Sequence, residues 1–520
     1  MSLSVSTTSC RQSTGRIGQG GVSIHILDDD SLLHTFYLYR PFLLGEDQDD
    51  DARLKGGDRT WNRGRWWYRL AQVCQRWRNI ILGSASYLGV SLVCSSGTPV
   101  ADMLAHSPPF PLVLEYNGRI TADDEVGILL ALKQRERVLR VRLNVIMPVT
   151  SRRKLVAAMD EEYPILEHLI IGPPDEDVST ILTFPETFQA PQLRLFRPRG
   201  FALPTGLRLL TSAVGLVTFY LVMVHPSTYF HPNTLLQWIS HMPQLETLTI
   251  HFNFPISNRD AERQLTLTHA PAIAPVTLPN LRHFVFHGVS TYLETLVHRI
   301  TTPRLEKLRI EFFSQLTFFV PRLLQLMNTA EDLRFHSAKL FFFDEKVEVR
   351  ICPHGDIGDI EMYALDMVVF CWHLDWQVSS MVQISNSLDQ VFSVVENLNL
   401  VHDVHGRSSE EHNEVDRTEW RRLLRPFSNV KALSIADALV KDLSRCLQSE
   451  DGELPLEVLP ELQTLTYSGS GDTGDGFTSF IDARRIAGHP VTLVYPASIP
   501  ASLSPGFRLI ATEPGHIHPL

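Results

Sequence analysis

Apolar residues recur in a fixed short pattern along most of the chain, from residue 138 onward. Each copy has an apolar residue, two variable residues, a second apolar residue, one variable residue and a third apolar residue. The clear copies begin at Leu166, Leu245, Leu281, Leu305, Val395, Val430 and Leu462, and weaker ones begin at Val138, Leu193, Leu216 and Ala330. Because side chains alternate along a strand, the second and third apolar residues point to one face. Each copy therefore predicts a short strand buried on one side.

The spacing of the copies indicates what joins one strand to the next. Most copies begin 23 to 36 residues apart, which leaves room for a helix that returns the chain so that the next strand lies parallel. The return helices are predicted at 232–241, 291–299, 320–328, 417–424 and 477–487. Leucine-rich repeats have units of this kind. The pattern predicts an α/β fold, an irregular leucine-rich-repeat solenoid over residues 96–500 with parallel strands on its concave face. A doubly wound α/β sheet is the alternative.

One interval is longer than the others, and it covers 65 residues between Ala330 and Val395. It contains three further strand-like apolar runs, Leu340–Phe343, Val347–Ile351 and Met367–Trp372. These runs predict either a degenerate repeat or an inserted hairpin.

The region before the repeats, residues 22–95, has helical rather than strand periodicity. Acidic residues precede an apolar face in 26–36, which predicts a short capped helix. A charged, glycine-containing segment at about 42–64 predicts an inserted loop. Residues 67–81 have the spacing of one further helix. Its apolar face would consist of Leu70, Val73, Cys74, Trp77, Ile80 and Ile81.

The helical spacing at 70–80, in which Val73-Cys74 is followed by Trp77-Arg78, resembles the second half of an F-box. With the repeats, nearly the whole chain resembles a fungal, basidiomycete-type F-box and leucine-rich-repeat protein whose F-box-like module is interrupted by a charged insertion. The resemblance implies a non-enzymatic substrate receptor of an SCF-type ubiquitin ligase. The F-box-like module would bind the Skp-type adaptor, and the repeats would bind an unidentified protein target. The adaptor-binding residues implied are Leu27, Leu32, Leu33, Phe36, Leu70, Val73, Cys74, Trp77 and Ile80.

Composition narrows the class of protein. Of the 520 residues, 44% are hydrophobic and 20% are charged, which excludes a mostly disordered or disulfide-dense chain. The formal net charge of −11 argues against nucleic acid and membranes as partners. The charge is unevenly placed, since residues 28–51 sum to −7 and residues 52–82 sum to +7. This charge reversal falls within the F-box-like module.

Targeting and compartment follow from local composition. Six scattered cysteines form no disulfide framework, which predicts reduced thiols and an intracellular protein, cytoplasmic or nuclear. Residues 1–21 and 501–520 are predicted to be tails, and no secretory apolar segment is seen at the start. The uncharged stretch 209–224 is shorter than the ~20 residues that a spanning helix needs. Its second half predicts a buried strand.

Three groups of residues have side chains that could support chemistry. Residues 469–474 match the glycine pattern of dinucleotide-binding loops, but two aspartates would repel a pyrophosphate. Cys352 with His354, and Cys371 with His373, could hold zinc only if both pairs converged. A further group, His402, Asp403, His405 and His412, predicts a solvated loop. We therefore predict no catalytic residue, no metal and no cofactor. The alternatives are a repeat scaffold whose F-box-like segment is only a structural cap and, third, an enzyme.

Overall fold

The computed structural model describes residues 27–40, 66–172, 181–224, 229–253, 274–313, 315, 317–353, 363–403, 415–448, 457–468 and 476–494. The chain divides into two compact units, one of Met1–Cys94 with Ala101–Val113 and one of Ser95–Val100 with Leu114–Leu520. The tails predicted at 1–21 and 501–520 and the insertion at about 42–64 lie outside the described residues.

The described part of the first unit is largely helical. Its elements are α1 (Asp29–Tyr39), α2 (Trp66–Ala71), α3 (Gln75–Gly83), α4 (Ala85–Leu88), β1 (Leu92–Cys94) and α5 (Val100–His106). The carboxylate of Asp28 accepts a hydrogen bond of 2.6 Å from the backbone N–H of Ser31, which satisfies an otherwise unpaired donor at the start of α1. The short capped helix predicted from the acidic residues is confirmed.

The single helix predicted over 67–81 is wrong, because α2 ends at Ala71 and α3 begins at Gln75. Cys74, between them, has an extended backbone with φ of −159° and ψ of 168°. The side chain of Arg78 donates a hydrogen bond of 3.1 Å to the carbonyl of Ala71, which stabilises the break. On an unbroken helix Val73 would share the face of Trp77, whereas the break leaves Val73 exposed to solvent.

The second unit is built on a large, mostly parallel sheet. Its strands are β2 (Leu112–Arg119), β3 (Val138–Ile146), β4 (His168–Gly172), β5 (Leu182–Thr183), β6 (Leu195–Pro198), β7 (Phe201–Ala202), β8 (Thr218–Val224), β9 (Thr247–Phe252), β10 (Val276–Thr277), β11 (His283–Gly288), β12 (Ile300–Thr301), β13 (Lys307–Phe312), β14 (Ser337–Phe343), β15 (Lys346–Cys352), β16 (Leu365–Phe370), β17 (Asn397–Asp403), β18 (Ala432–Ala436), β19 (Thr464–Ser468) and β20 (Thr492–Val494). Two short parallel pairs, β5 with β7 and β10 with β12, lie outside the main sheet.

Helices follow many of these strands. They are α6 (Ala122–Leu132), α7 (Val149–Ala158), α8 (Leu209–Ser212), α9 (Pro232–Ile239), α10 (Ser290–Val297), α11 (Pro321–Thr329), α12 (Leu374–Ser387), α13 (Asp389–Phe392), α14 (Arg417–Leu424), α15 (Val440–Leu447) and α16 (Thr478–Ile486). Short 3₁₀ turns cover Arg135–Arg137 and Asp437–Leu439. All five predicted return helices are confirmed, each within two residues of its predicted ends.

The strand register confirms the repeating pattern. In the main sheet the order from β3 onward is β3-β4-β6-β8-β9-β11-β13-β16-β15-β14-β17-β18-β19-β20. Equivalent apolar positions stand opposite each other, so that Leu248 pairs with Phe284 and Phe284 pairs with Leu308. Apart from β16, β15 and β14, whose order is reversed, the strands follow chain order from β3 to β20. This order disfavours the doubly wound alternative, in which strand order reverses about a switch point.

The repeated apolar residues face the helices. Phe286 of β11 lies 5.9 Å from Tyr292 of α10, and Phe342 of β14 lies 5.5 Å from Trp420 of α14, measured between ring centroids. All four side chains are buried. Because strand side chains alternate, the residues between the apolar positions lie on the opposite face of the sheet, which we call the open face.

The long interval between Ala330 and Val395 contains strands inserted into the sheet. β15 pairs antiparallel with both β14 and β16, while β16 pairs in parallel with β13 and β14 with β17. The inserted hairpin is confirmed and extended by a third strand. The weak copy starting at Ala330 is wrong, because β14 begins at Ser337 and presents Ala338 opposite Leu398. The pattern identified strand-forming residues but did not locate the turn at 344–345, where the chain reverses.

The uncharged stretch 209–224 contains the short helix α8 followed by β8, so the strand predicted in its second half is confirmed. Among the described residues, no helix is both long enough and apolar enough to cross a membrane.

Two glycine substitutions test how closely the strands pack. Gly172, at the end of β4, has a φ of +150°, and a Cβ there would lie 2.5 Å from the carbonyl oxygen of Arg199. We expect Gly172→Ala to lower the free energy of unfolding by at least ~2 kcal/mol, because it adds backbone strain and a steric clash. The measurement is the denaturant midpoint and slope of the full chain.

Gly215→Ala is the matched control, since a Cβ at Gly215 has no neighbour within 4 Å. This change should alter the free energy of unfolding by less than ~0.5 kcal/mol or raise it slightly, because alanine restricts the unfolded chain. Equal losses in the two variants would contradict the strand geometry at Gly172.

Candidate functional site

The nine residues implied by the F-box resemblance occupy different environments in the first unit. Leu32, Phe36 and Trp77 are buried, Leu27, Leu33, Leu70, Cys74 and Ile80 are half-buried, and Val73 is exposed. The nine residues therefore divide into core residues and residues that solvent, or a partner, can reach.

The buried members hold α1 against α3. The rings of Phe36 and Trp77 meet edge to face with centroids 4.8 Å apart. The guanidinium of Arg76 donates a hydrogen bond of 2.6 Å to the carbonyl of Leu27 and forms an ion pair of 2.7 Å with Asp29. These contacts join segments that lie more than forty residues apart in the chain. The structure thus brings together the two halves of the F-box-like pattern.

A further set of exposed aromatic and aliphatic side chains lies on the same unit, and only Val73 among them belongs to the nine residues that the resemblance implies. The set consists of Tyr37, Leu38, Tyr39, Tyr68 and Tyr87, in addition to Val73. Tyr37 and Tyr87 are in ring contact at 5.2 Å, and the guanidinium of Arg40 lies over the Tyr37 ring at 5.5 Å. We call these six residues the apolar surface of the first unit.

A sequence signal for this surface was present in α1. The run Phe36-Tyr37-Leu38-Tyr39 places four apolar residues in succession around a helix. A helix that packs on one side can bury only one stripe, so some members of such a run must be exposed. Exposed apolar side chains of this kind are available for contact with another protein.

On the second unit, the open face has a cluster of ion pairs on β13, β16 and β15. The guanidinium of Arg309 lies 2.6 Å from Glu311 and 3.6 Å from Asp366. Glu348 pairs with Lys346 at 3.3 Å and also with Arg350. We call these six residues the charged cluster.

The carboxylates of the charged cluster lie deeper than its cations. The Glu348 side chain is only 3% exposed, whereas that of Arg309 is 54% exposed. Burial, with a further contribution from neighbouring Glu348, raises the pKa of Asp366 to about 6 against the opposing effect of Arg309. Burial also opposes ionisation of Glu311, but Arg309 and the neighbouring histidines together lower the pKa of that carboxyl. In this cluster the cationic side chains are the more exposed groups, and ion pairs with the more buried carboxylates fix their orientation.

Histidine and aromatic side chains flank the charged cluster on the open face. His251 of β9 stands opposite His287 of β11, with ring centroids 4.2 Å apart. Burial and the neighbouring His251 lower the pKa of His287 to about 4, so His287 is neutral at pH 7. Arg350 lies over the Phe341 ring at 4.9 Å, and such cation–π contacts hold a charged side chain in one position.

The charged cluster was only partly predictable from the sequence. Arg309 occupies the variable position between Leu308 and Ile310, and comparing that position across the repeats would have assigned it to the open face. Asp366 and Glu348 could not be found in this way. They belong to the inserted strands, whose direction and register became apparent only from the pairing of β15 with β16.

The zinc hypothesis for the two cysteine–histidine pairs is wrong. Ile351 stands opposite Leu365 and Lys346 opposite Phe370, so Cys352 and Cys371 lie at opposite ends of the β15–β16 pair. Burial raises the pKa of the Cys371 thiol to about 12. His354 lies outside the described residues.

The other sequence-based candidates are only partly covered by the structure. His402 and Asp403 end β17, whereas His405, His412 and the glycine-rich segment 469–474 lie outside the described residues. Within the part of the chain that the structure describes, no three His, Cys, Asp or Glu residues are arranged to hold a metal ion.

Comparison with known proteins adds no assignment, since no family model matches the chain and no curated protein matches it. Function is therefore inferred from the two surfaces described above. The first is the apolar surface of the helical unit, and the second is the open face of the sheet with its charged cluster. The first exposes apolar side chains, and the second exposes the cations of its ion pairs.

Replacing Asp366 by Asn tests the electrostatics of the charged cluster. The folded state holds the Asp366 proton more tightly than the unfolded chain, whose carboxyl has a pKa near 3.8. The stabilising contribution is thus complete below pH 3.8 and is lost as the pH rises through about 6. Relative to the parent protein, Asp366→Asn should gain on the order of 1–3 kcal/mol of unfolding free energy between pH 4 and pH 8.

Urea unfolding of both proteins at pH 4, 6 and 8 provides the measurement. The exposed Asp332→Asn variant is the control for loss of one negative charge. A difference between Asp366→Asn and the parent that stays constant over this pH range would contradict the burial of the Asp366 carboxyl.

Proposed function

We propose that this protein is the substrate receptor of an SCF-type ubiquitin ligase. Its helical first unit would bind a Skp-type adaptor, and the repeats would bind a target protein. The observation that carries this proposal is the packing of α1 on α3 through Phe36 and Trp77, which leaves an apolar surface exposed. A small helical unit with a buried aromatic core and exposed apolar residues fits the adaptor-binding role that the sequence resemblance implies.

The form of the second unit supports the target-binding half of the proposal. We propose that its parallel strands and return helices form an irregular leucine-rich-repeat solenoid with the open face as its concave side. Such repeats offer an extended surface for protein binding. The charged cluster and the flanking histidine and aromatic residues give that surface the varied chemistry needed to recognise a particular target.

The proposed role requires no catalytic residue in this chain. A receptor that holds its target beside a ubiquitin-loaded enzyme accelerates transfer by proximity, because two reactants are kept together in a defined geometry. In this proposal the contribution of the chain is binding and orientation, and the protein acts in the cytoplasm or nucleus.

A repeat scaffold with a structural cap is the second candidate, and one observation favours it. Leu32, Phe36 and Trp77 are committed to the core of their own unit. Repeat proteins need terminal caps to shield their ends. A helical unit with a buried core could serve as such a cap without binding an adaptor. The two candidates differ in whether the exposed residues of the first unit bind an adaptor.

Substitution of an exposed residue separates binding from folding. Val73 is 57% exposed, so Val73→Glu should leave the core intact while placing a charge in the adaptor interface. We expect the parent chain to co-purify with a Skp-type adaptor and Val73→Glu to weaken that binding at least tenfold, since an uncompensated charge is costly to bury. Binding is measured by titration calorimetry with the purified adaptor.

The control is Val126→Glu, which introduces the same charge at a 56% exposed valine of α6 in the second unit. This variant should bind the adaptor as the parent does, and both variants should unfold at the parental denaturant midpoint. Failure of the parent chain to bind any Skp-type adaptor would reject the receptor proposal in favour of the scaffold.

A further inference from the structure

The inserted strands create a compact feature at the carboxyl edge of the sheet. The turn between β14 and β15 lies beside the end of β16, because the N–H of Cys371 donates a hydrogen bond of 2.9 Å to the carbonyl of Glu345. The side-chain amide of Gln377, in the first turn of α12, donates to the carbonyls of Phe343 at 2.7 Å and Cys371 at 2.9 Å. Gln377 is itself buried. The turn, the strand end and the helix start are therefore fixed to one another.

Two tryptophans at this edge are exposed to an unusual degree. Trp372 is 62% exposed and Trp376 is 56% exposed, although both belong to a segment whose other large apolar residues are buried. Tryptophan is a large, mostly apolar side chain that folding ordinarily buries. Their exposure is not explained by the packing of the second unit.

The start of α12 leaves both indole rings largely exposed. His373 is the N-cap residue, so Trp372 stands at the position whose side chain often packs against the fourth helical residue. That fourth residue is Gln377, whose amide is committed to the two carbonyls described above. Trp376 contacts the ring of His373 at 5.3 Å and otherwise faces solvent.

Three acidic residues belong to the same turn and helix start as the two tryptophans. Asp344 and Glu345 are exposed in the β14–β15 turn, and Asp375 is half-buried beside Trp376. Lys346, which begins β15 at this edge, lies over the Phe343 ring at 4.9 Å and 3.3 Å from Glu348, so it is engaged on the open face. The turn and the helix start, which the Gln377 hydrogen bonds join, thus contain three acidic residues and two exposed indole rings.

We propose that this tryptophan edge (Trp372, Trp376, Asp344, Glu345 and Asp375) binds a short basic segment of a partner protein. Lys and Arg side chains interact favourably with indole faces, and their charges pair with carboxylates. Tryptophan is also enriched among the residues that dominate protein interfaces. The three carboxylates disfavour an acidic peptide, an anionic membrane or a nucleic acid at the same place. The proposal does not depend on adaptor binding by the first unit.

The test uses the full chain and two fluorescein-labelled decapeptides, one alternating Arg with Ser and one alternating Glu with Ser. Fluorescence anisotropy should show saturable binding of the basic peptide and none of the acidic one. Trp372→Ala with Trp376→Ala should weaken binding at least tenfold without changing the net charge of the protein. Asp344→Lys with Glu345→Lys should weaken it at least as much.

Non-specific attraction to an acidic protein is controlled by charge reversal elsewhere. Glu331 and Asp332 form another exposed acidic pair, which precedes β14 at its amino end. Glu331→Lys with Asp332→Lys changes the net charge as much as reversal of Asp344 and Glu345 does, and this variant should retain parental binding. Equal losses in the two charge-reversed proteins, unchanged binding in the double tryptophan variant, or no binding by the parent would each overturn the proposal.

Discussion

Parallel pairing of strands whose apolar residues stand at matching register is the constraint on which the second unit depends. The pairs Leu248–Phe284 and Phe284–Leu308 place equivalent side chains in adjacent rows, and helices cover those rows. Because strand side chains alternate, a register shift of one residue would expose the whole row to water. The same pairing fixes the variable positions on the open face. The charged cluster is a consequence of that fixed alternation.

The inserted strands β15 and β16 depart from the repeat and add charged side chains to the open face. β15 runs against its neighbours and still keeps its apolar residues on the helix side. Its alternate residues place Glu348 among the cations of the open face, where burial of the carboxylate is offset by ion pairs with Lys346 and Arg350. The insertion also adds a turn and a strand end to the carboxyl edge of the sheet. Surface features of the second unit concentrate where its repeat is broken.

The first unit has a different organisation, in which aromatic packing joins two separated segments. Phe36 and Trp77 supply much of the contact between α1 and α3, and Arg76 adds a hydrogen bond and an ion pair at the same junction. The break after Ala71 rotates Val73 outward, so that one residue of the helical pattern joins the exposed surface while Trp77 remains buried. Periodicity alone could not predict the exposure of Val73. A short break between two helices changes the direction in which side chains point but leaves the apolar residues at the same sequence positions.

The sequence by itself determined the strands that contain the repeated pattern, the return helices between them and the capped helix that Asp28 begins. These depend on alternation, helical period and capping, which are encoded by residues close together in the chain. Only the tertiary structure decided that β15 runs antiparallel, that Asp366 and Glu348 lie beside Arg309 and Arg350, and that Cys352 and Cys371 lie apart. Those outcomes depend on pairing between distant segments. Burial, pKa and exposure are set by what each side chain meets after the chain has folded.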